Sequence, residues 1–300
     1  MHSSKNGNPT SVASPGGLKF GVWVSASRPK TWAASVCPVL LGCALAMQSG
    51  PLSWGLAVCS LLFSLLIQIG TNFANDYYDY VNGVDQLRTV GPKRAVASGW
   101  VTPSSMRSAM GLSFGLALLV ALPLTTAFGL WSLPVVVSSV AFGILYTGGP
   151  RPFGYLGLGE LFVFIYFGPV AMLGTYVVQG RPFSWDIALL SGMPGLLSCA
   201  ILTANNLRDE LTDRAAEKRT LVVRFGKRFG CAELTLFVAV AMLAPLGCSF
   251  FWHLLALPLG ARIVYKTWTH RTAQQAAPLL PQCAALLALS TLLLCLECLM

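Results

Sequence analysis

Long apolar stretches separated by short polar segments dominate the pattern of this chain. Four of them, at 112–124, 187–202, 234–251 and 284–296, contain no Lys, Arg, Asp or Glu. With their apolar flanks they approach the roughly 20 residues that a membrane-spanning helix needs. The pattern therefore predicts an all-α integral membrane protein.

The hydrophobic pattern divides the chain into about nine predicted spans. They lie near 31–48, 53–76, 104–126, 131–147, 158–178, 184–205, 232–252, 254–268 and 276–298. Residues 1–18 are rich in Ser, Gly, Pro and Asn, so we expect a disordered tail. Residues 19–300 then form a single membrane domain, with polar motif loops near 76–103 and 206–231.

Composition and charge agree with a membrane protein of one defined orientation. Of 300 residues 55% are hydrophobic and 10% are charged, with a mean hydropathy of +0.65, which excludes an ordinary soluble domain. All basic residues but Arg181 fall on one side of the predicted spans, and the positive-inside rule places that side in the cytoplasm. The basic residues that give the chain its net charge of +9 thus lie mainly in the segments that connect the predicted spans. We expect contact with membrane lipid, no nucleic acid and no obligate protein partner.

Acidic residues are scarce and concentrated. Eight of the 11 lie in three segments near helix ends on the predicted cytoplasmic side. They are Asp76, Asp79, Asp85, Glu160, Asp209, Glu210, Asp213 and Glu217. Because a carboxylate at mid-bilayer costs about 2.5–3.5 kcal/mol on insertion scales, this concentration indicates a functional site.

Two of these segments have a helical spacing of carboxylates and carboxamides. The first comprises Gln68, Asn72, Asn75, Asp76 and Asp79, followed by Asp85 beyond the expected helix end. The second comprises Asn205, Asp209, Asp213 and Glu217, which are successive i, i+4 neighbours. Each set should therefore share one helix face at the same membrane side.

This chemistry favours Mg²⁺ and a diphosphate. Mg²⁺ prefers oxygen ligands, and one or two carboxylates usually suffice when substrate phosphates complete its shell. Each cluster could hold one ion, with a diphosphate bridging the pair. The predicted metal ligands are Asn75, Asp76, Asp79, Asp85, Asp209 and Asp213. Nearby cations would neutralise the remaining phosphate charge, and they are Lys93, Arg94, Arg208, Lys218 and Arg219.

A diphosphate bound by a membrane scaffold implies an apolar remainder of the substrate. An allylic chain that leaves its diphosphate becomes a carbocation, which an electron-rich ring can capture if water is kept away. Aromatic faces can stabilise such a cation. Candidates are Tyr77, Tyr78, Tyr146 and the aromatic residues of 164–167.

At this point the residues resemble the UbiA superfamily of intramembrane aromatic prenyltransferases. Its two hallmarks match Asn75-Asp76-x2-Asp79 with Asp85, and Asp209-x3-Asp213. Arg28-Pro29-Lys30-Thr31, the segment from Tyr146 to Glu160, and Lys218-Arg219-Thr220-Leu221 are most similar to the menaquinone-pathway branch, which prenylates 1,4-dihydroxy-2-naphthoate. The resemblance covers about 21–230.

The resemblance implies nine helices around a central chamber that opens sideways to lipid, in a bacterial cytoplasmic membrane. It also implies two Mg²⁺, polyprenyl diphosphate and an aromatic acceptor as substrates, and loss of CO₂ to give a demethylmenaquinone. The implied catalytic residues are Asn72, Asp76, Asp79, Asp209 and Asp213. Ring binding is expected near Gln68, Asn72, Tyr146 and Glu160.

One position departs from the branch, which usually has Gly where Glu217 stands. The added carboxylate could be a further acid of the site or could shift the loop. Two alternatives remain open. One is the same enzyme class with another acceptor, such as 4-hydroxybenzoate or homogentisate. The other is a cation-coupled membrane transporter, although transporters usually place their charged sites near the bilayer midplane.

Overall fold

A computed structural model describes residues 20–87 and 90–300, and within those ranges the chain is helical without strands. The expected disordered tail at 1–18 lies outside the described residues. The helices are α1 (Phe20–Ala26), α2 (Trp32–Gln48), α3 (Trp54–Val81), α4 (Pro103–Phe128), α5 (Leu133–Leu145), α6 (Gly159–Ile165), a π-helix (Tyr166–Leu173), α7 (Gly174–Val178), α8 (Trp185–Leu190), α9 (Gly192–Ala215), α10 (Leu221–Phe225), α11 (Lys227–Leu243), α12 (Leu257–Thr269), α13 (Ala273–Ala276) and α14 (Leu279–Cys298).

Among the described residues, seven helical stretches are long and apolar enough to cross a membrane. They are Phe20–Gln48, Trp54–Val81, Pro103–Phe128, Gly159–Val178, Trp185–Ala215, Lys227–Cys248 and Ala273–Cys298. The protein is therefore an all-α, multi-pass integral membrane protein, as predicted. The predicted spans 131–147 and 254–268 coincide with α5 and α12, which have 13 residues each. Because a span needs about 20 residues, the count of nine stays a prediction.

Several helices begin where a threonine precedes the first turn. Thr102 accepts a hydrogen bond from the Ser105 amide at the start of α4, and Pro103 follows at the first helical position. Thr220 caps α10 in the same manner. These caps satisfy backbone N–H groups that have no partner within the helix.

The buried apolar core has two parts. Its larger part joins α2, α9, α11 and α14 through fully buried residues such as Leu41, Leu197, Leu234 and Leu287. A smaller part joins α1, α3 and α4 around Phe73. Because α2, α3 and α9 are held by this packing, they form a fixed wall beside the helices α5 to α7.

The π-helix approaches its neighbours closely. A Cβ on Gly42 of α2 would lie 2.5 Å from the Met172 carbonyl oxygen. A Cβ on Gly168 would lie 2.7 Å from the Ser191 carbonyl oxygen. Side chains larger than hydrogen at both glycines would push the π-helix away from α2 and α9.

Helix α9 ends differently from the sequence expectation. It stops at Ala215, and Glu217 follows in the left-handed region with φ of 56°. The Lys218 amide donates to the Asp213 carbonyl and the Glu217 amide to the Arg214 carbonyl, which is the bonding pattern of a Schellman motif. The prediction that Glu217 continues the helical face of Asp213 is therefore wrong. The turn leaves the Glu217 side chain exposed and brings Lys218 back towards the bundle, beside Asp79.

Candidate active site

An apolar cavity of about 320 Å³ lies alongside α3, within the usual size of ligand sites. It is lined on α3 from Ser60 to Asn75, a distance of roughly 22 Å at 1.5 Å per residue. At the far end Phe128 and Val135 line it and are still 42% and 40% exposed. The cavity thus reaches exposed residues at this end, and the sideways opening to lipid that the resemblance implies stays a prediction.

Aromatic side chains form part of the cavity wall near its polar end. The ring of Phe142 on α5 lies 4.5 Å from that of Phe162 on α6 and 5.3 Å from that of Tyr166 on the π-helix, measured between centroids. Tyr146 and Phe167 also line the cavity. The other aromatic candidates, Tyr77, Tyr78 and Phe164, do not line it.

The two predicted acidic clusters lie next to each other at one end of this cavity. Gly91, in the loop after α3, approaches Arg208 so closely that a Cβ would lie 3.3 Å from the Arg208 Cζ atom. Five aspartates, Asp76, Asp79, Asp85, Asp209 and Asp213, are buried here with three cations, Arg94, Arg208 and Lys218. The described residues thus bring carboxylates of both clusters and three cations into one buried site.

Asp79 joins the two clusters. One carboxylate oxygen lies 2.7 Å from the Lys218 Nζ atom and accepts a hydrogen bond of 3.1 Å from the Tyr155 hydroxyl. The other oxygen lies 3.5 Å from the Arg94 guanidinium. The Lys218 Nζ atom also lies 4.7 Å from the centroid of the Tyr155 ring, within cation–π distance. Burial and the charge of Asp79 raise the pKa of Tyr155, so that its hydroxyl stays protonated and donates.

Asp76 has a different environment from Asp79. Its two oxygens accept the backbone amides of Ala95 and Val96 at 3.0 and 3.1 Å, and the residue is only 1% exposed. These bonds fasten the loop after α3 to the helix, because each satisfies a buried amide. The predicted metal-binding and catalytic roles of Asp76 stay predictions, and the contacts favour an anchoring role.

The second cluster contains a bidentate ion pair. The Arg208 Nε and Nη2 atoms lie 2.7 and 2.6 Å from the two oxygens of Asp209. The same Nη2 donates to Asn205 at 2.7 Å. Asp213 is buried one turn further along α9. The negative charges of Asp79 and Asp213 both contribute to the raised pKa of Tyr155. Residues from α3, α9 and the segment before α6 therefore share one polar site.

Three carboxamide residues of α3 line the cavity beside the acids. Gln68 and Asn72 both donate to the Thr31 hydroxyl at the start of α2. Asn75 accepts a short hydrogen bond from the Thr147 hydroxyl, which follows Tyr146. The structure thus brings Gln68, Asn72 and Asn75 to the expected place, on one face that points into the chamber.

Glu160 lies outside the chamber. Its carboxylate accepts a hydrogen bond of 3.0 Å from Asn206 on α9, and it lines a separate, smaller apolar cleft with Phe164 and Phe237. In the same interface the Thr203 hydroxyl contacts Glu233 of α11 at 3.3 Å. The ring-binding role expected for Glu160 has no support from this placement, because Glu160 does not line the cavity and its carboxylate contacts Asn206 instead.

The remaining predicted cations differ in exposure. Lys93 and Arg219 are exposed, whereas Arg94 is buried and lies 3.4 Å from Asp85. The Arg219 amide donates to the Tyr155 carbonyl oxygen and its own carbonyl accepts from Arg224. Arg219 therefore ties the segment after α9 to the segment before α6.

Comparison with known proteins decides the family. The UbiA prenyltransferase family model matches residues 35–293. The chain belongs to the UbiA prenyltransferase family. It is 40% identical over 239 residues to the 1,4-dihydroxy-2-naphthoate octaprenyltransferase of Mycobacterium tuberculosis, covering 80% of either chain. It is 34% identical over 268 residues to the enzyme of that name from Mycobacterium leprae, covering 87% of this chain and 90% of the other.

A solved UbiA structure has the same fold. The homologue from Archaeoglobus fulgidus bound to DMAPP and Mg²⁺ superposes with a TM-score of 0.60 at 15% sequence identity, covering 91% of this chain and 98% of the other. At that identity the likeness concerns the fold, and the fold is the UbiA fold.

The donor atoms of this UbiA member fit Mg²⁺ in kind. Among the described residues no three His, Cys, Asp or Glu side chains are gathered closely enough to hold an ion by themselves. The oxygen atoms of Asn75, Asp79, Asp209 and Asp213 suit a hard cation that takes the rest of its shell from water and phosphate. The residues thus fit a divalent cation of this kind.

Three residues of the site were not assigned from the sequence. Thr31 and Tyr155 both lie in segments that carried the resemblance, so position alone could have marked both. Arg28 lines the cavity with a left-handed backbone, φ 53°. A non-glycine residue in that region is unusual and marks a functional segment more often than chance.

Proposed function

We propose that this chain transfers a polyprenyl group from polyprenyl diphosphate to 1,4-dihydroxy-2-naphthoate with loss of CO₂. The observation that carries the proposal is the junction of two acidic clusters at the polar end of an apolar cavity, where Lys218 reaches Asp79. The acceptor is suggested by the names of both mycobacterial relatives.

The polar end suits a diphosphate. Mg²⁺ held by Asn75, Asp79, Asp209 and Asp213 would supply the positive charge that makes diphosphate a better leaving group. Arg94, Arg208 and Lys218 are buried beside these carboxylates. Each can exchange a carboxylate partner for a phosphate oxygen, since both are anionic acceptors of charge-assisted hydrogen bonds.

The apolar cavity suits the isoprenoid chain and protects the reaction from water. Its exposed end at Phe128 and Val135 lets a long chain extend out of the cavity. The faces of Phe142, Phe162 and Tyr166 near the polar end can stabilise positive charge on the departing allyl group. Exclusion of water there prevents hydrolysis of that group.

The bond changes balance without an oxidant. The carbon–oxygen bond of the prenyl diphosphate breaks, and its electron pair leaves with diphosphate. A ring π pair forms the new bond to the prenyl carbon at the position that carries the carboxylate. The pair of the broken bond to the carboxylate carbon returns to the ring as CO₂ departs. The immediate product is the dihydroxy form of demethylmenaquinone, and its oxidation to the quinone requires a separate step.

The proposed site faces the cytoplasm. Arg181, the basic residue assigned to the other side, donates to the carbonyls of Ala46 and Pro51. These lie at the end of the bundle opposite the acids of α3, because Pro51 precedes α3 and Asp79 ends it. Positive charge on the acidic end supports a cytoplasmic orientation.

The proposal is tested by product analysis on purified protein in lipid nanodiscs. Wild type, Asp79→Asn and Asp213→Asn receive a polyprenyl diphosphate, Mg²⁺ and either 1,4-dihydroxy-2-naphthoate or 4-hydroxybenzoate. We expect Mg²⁺-dependent product from the naphthoate alone and a loss of at least a hundredfold in both variants.

Glu297→Gln serves as the matched control, because Glu297 is an acid at the opposite end of the bundle. It should retain full transfer. Product from 4-hydroxybenzoate alone would assign another acceptor, and absence of product from any aromatic acceptor with coupled cation flux would favour a transporter.

A further inference from the structure

Thr31 is the centre of a small hydrogen-bond network on the cavity wall. Its Oγ1 atom lies 2.9 Å from the Arg28 carbonyl oxygen, 3.1 Å from the Gln68 Nε2 atom and 3.2 Å from the Asn72 Nδ2 atom. The Asn72 Nδ2 atom also lies 2.8 Å from the Ser27 carbonyl oxygen. Gln68 and Asn72 are 7% and 3% exposed, so the network is buried.

Counting protons fixes the direction of every bond in this network. A hydroxyl has a single hydrogen, and a backbone carbonyl can only accept. The Thr31 hydrogen is therefore used by the Arg28 carbonyl, and Thr31 must accept from both carboxamides. The Ser27 carbonyl independently requires the nitrogen of Asn72 on its side. Both side chains thus turn their NH₂ groups to the protein.

The opposite atoms of both carboxamides face the cavity. Gln68 and Asn72 line it one helical turn apart on α3, and neighbours at this spacing lie side by side on a helix surface. Within the described part of the chain, neither carboxamide oxygen receives a hydrogen bond. Three of the four carboxamide N–H hydrogens are used by Thr31 and the Ser27 carbonyl. The wall therefore presents two adjacent carboxamide oxygens that can accept hydrogen bonds.

We propose that Thr31 is a positioning residue that makes this wall selective for a ring bearing hydroxyl groups. This inference rests on the proposed function, and it means that the protein recognises the aromatic acceptor in its dihydroxy form. A hydroxyl donates to a carboxamide oxygen, whereas a quinone carbonyl is itself an acceptor and would leave buried acceptors facing each other. Sites built around such a hydrogen bond strongly reject analogues that cannot make it.

A purely structural role for the network predicts different behaviour. Carboxamides and hydroxyls often serve only to pack membrane helices together. In that case, loss of the Thr31 hydroxyl would lower the thermal stability without changing the Michaelis constant for either substrate. Selectivity between dihydroxy and quinone rings would also be unaffected.

The experiment compares wild type, Thr31→Val and Thr31→Ser in nanodiscs. Val is isosteric with Thr but has no hydroxyl, and Ser retains the hydroxyl. Steady-state transfer gives KM for 1,4-dihydroxy-2-naphthoate and for the prenyl diphosphate. Competition against the dihydroxy substrate measures inhibition by 1,4-naphthoquinone-2-carboxylate and by the 1,4-dimethoxy analogue.

We expect both analogues to bind wild type at least tenfold more weakly than the dihydroxy substrate. Thr31→Val should raise KM for the naphthoate about tenfold, leave KM for the prenyl diphosphate within twofold, and reduce the discrimination against the quinone. Thr31→Ser should behave like wild type.

Equal binding of quinone and dihydroxy rings to wild type would overturn the proposal even if Thr31→Val fails to fold. So would an unchanged naphthoate KM in a folded Thr31→Val. If wild type makes no prenylated naphthalene at all, the proposed function is wrong, and the role of Thr31 in selecting the dihydroxy ring is wrong as well. Activity in wild type with unchanged selectivity in the variants contradicts this inference alone.

Discussion

Replacing Glu217 with glycine should stabilise the protein, because the backbone at this position has φ of 56°. The residue occupies the left-handed position of the turn that ends α9 and is exposed. Glycine is the usual residue there, since it has no Cβ to meet the following carbonyl. The sequence resemblance likewise expects glycine at this position.

The magnitude follows from two opposing effects. A non-glycine residue in the left-handed region costs about 1–2 kcal/mol. Glycine loses about 0.5–1 kcal/mol more conformational entropy than other residues on folding. The difference between the midpoints of these two ranges gives a net gain for Glu217→Gly of about 0.75 kcal/mol, equivalent to a rise in Tm of about 1.5–3 °C for a domain of this size.

The assay is reversible unfolding in mixed detergent micelles, with Glu217→Ala as the matched control. Alanine removes the carboxylate but keeps the Cβ, so it should not stabilise. Transfer activity should be unchanged in Glu217→Gly, because the backbone bonds that place Lys218 are kept. Equal gains for alanine and glycine would attribute the effect to charge, and a neutral or destabilising Glu217→Gly would refute the reasoning.

Three further substitutions give distinct results. Asp76→Asn should lower the free energy of unfolding by about 1–3 kcal/mol, since one of two buried backbone amides loses its acceptor; loss of activity with unchanged stability, measured by unfolding and transfer together, would instead indicate a metal ligand. Tyr155→Phe keeps the ring under Lys218 and removes the hydrogen bond to Asp79; kcat/KM for the prenyl diphosphate should fall by about threefold to tenfold, and by more in Tyr155→Leu, whereas equal losses would exclude a role for the ring. Glu297→Gln weakens an acceptor of the Phe251 and Trp252 amides; unfolding should show a loss of about 0.5–1 kcal/mol with unchanged turnover, and a lower turnover would contradict its structural role.

The membrane class and the location of the site could be predicted because both depend on how few charged residues the chain contains. Charged residues are so rare in this chain that carboxylates at helix ends are conspicuous, and helical spacing puts Gln68, Asn72 and Asn75 on one face. The structure confirms that this face lines the chamber. The family follows from the same segments.

The parts that could not be predicted depend on which neighbour a side chain meets. Spacing places Asp76 near Asp79, but only the fold of the following loop brings two amides to Asp76. Glu160 lies in a segment similar to the family, yet the rotation of α6 turns it to Asn206. The end of α9 depends on a left-handed residue at Glu217, a position where sequence favours helix.

The most direct test of the central claim is the fate of the acceptor's carboxyl carbon. Purified protein is given a polyprenyl diphosphate, Mg²⁺ and 1,4-dihydroxy-2-naphthoate with an isotope label in the carboxylate, and the released CO₂ and prenylated ring are both quantified. The account predicts one labelled CO₂ for each prenylated product and none without the prenyl diphosphate. A prenylated product that retains the label, or the absence of any prenylated product, would contradict it.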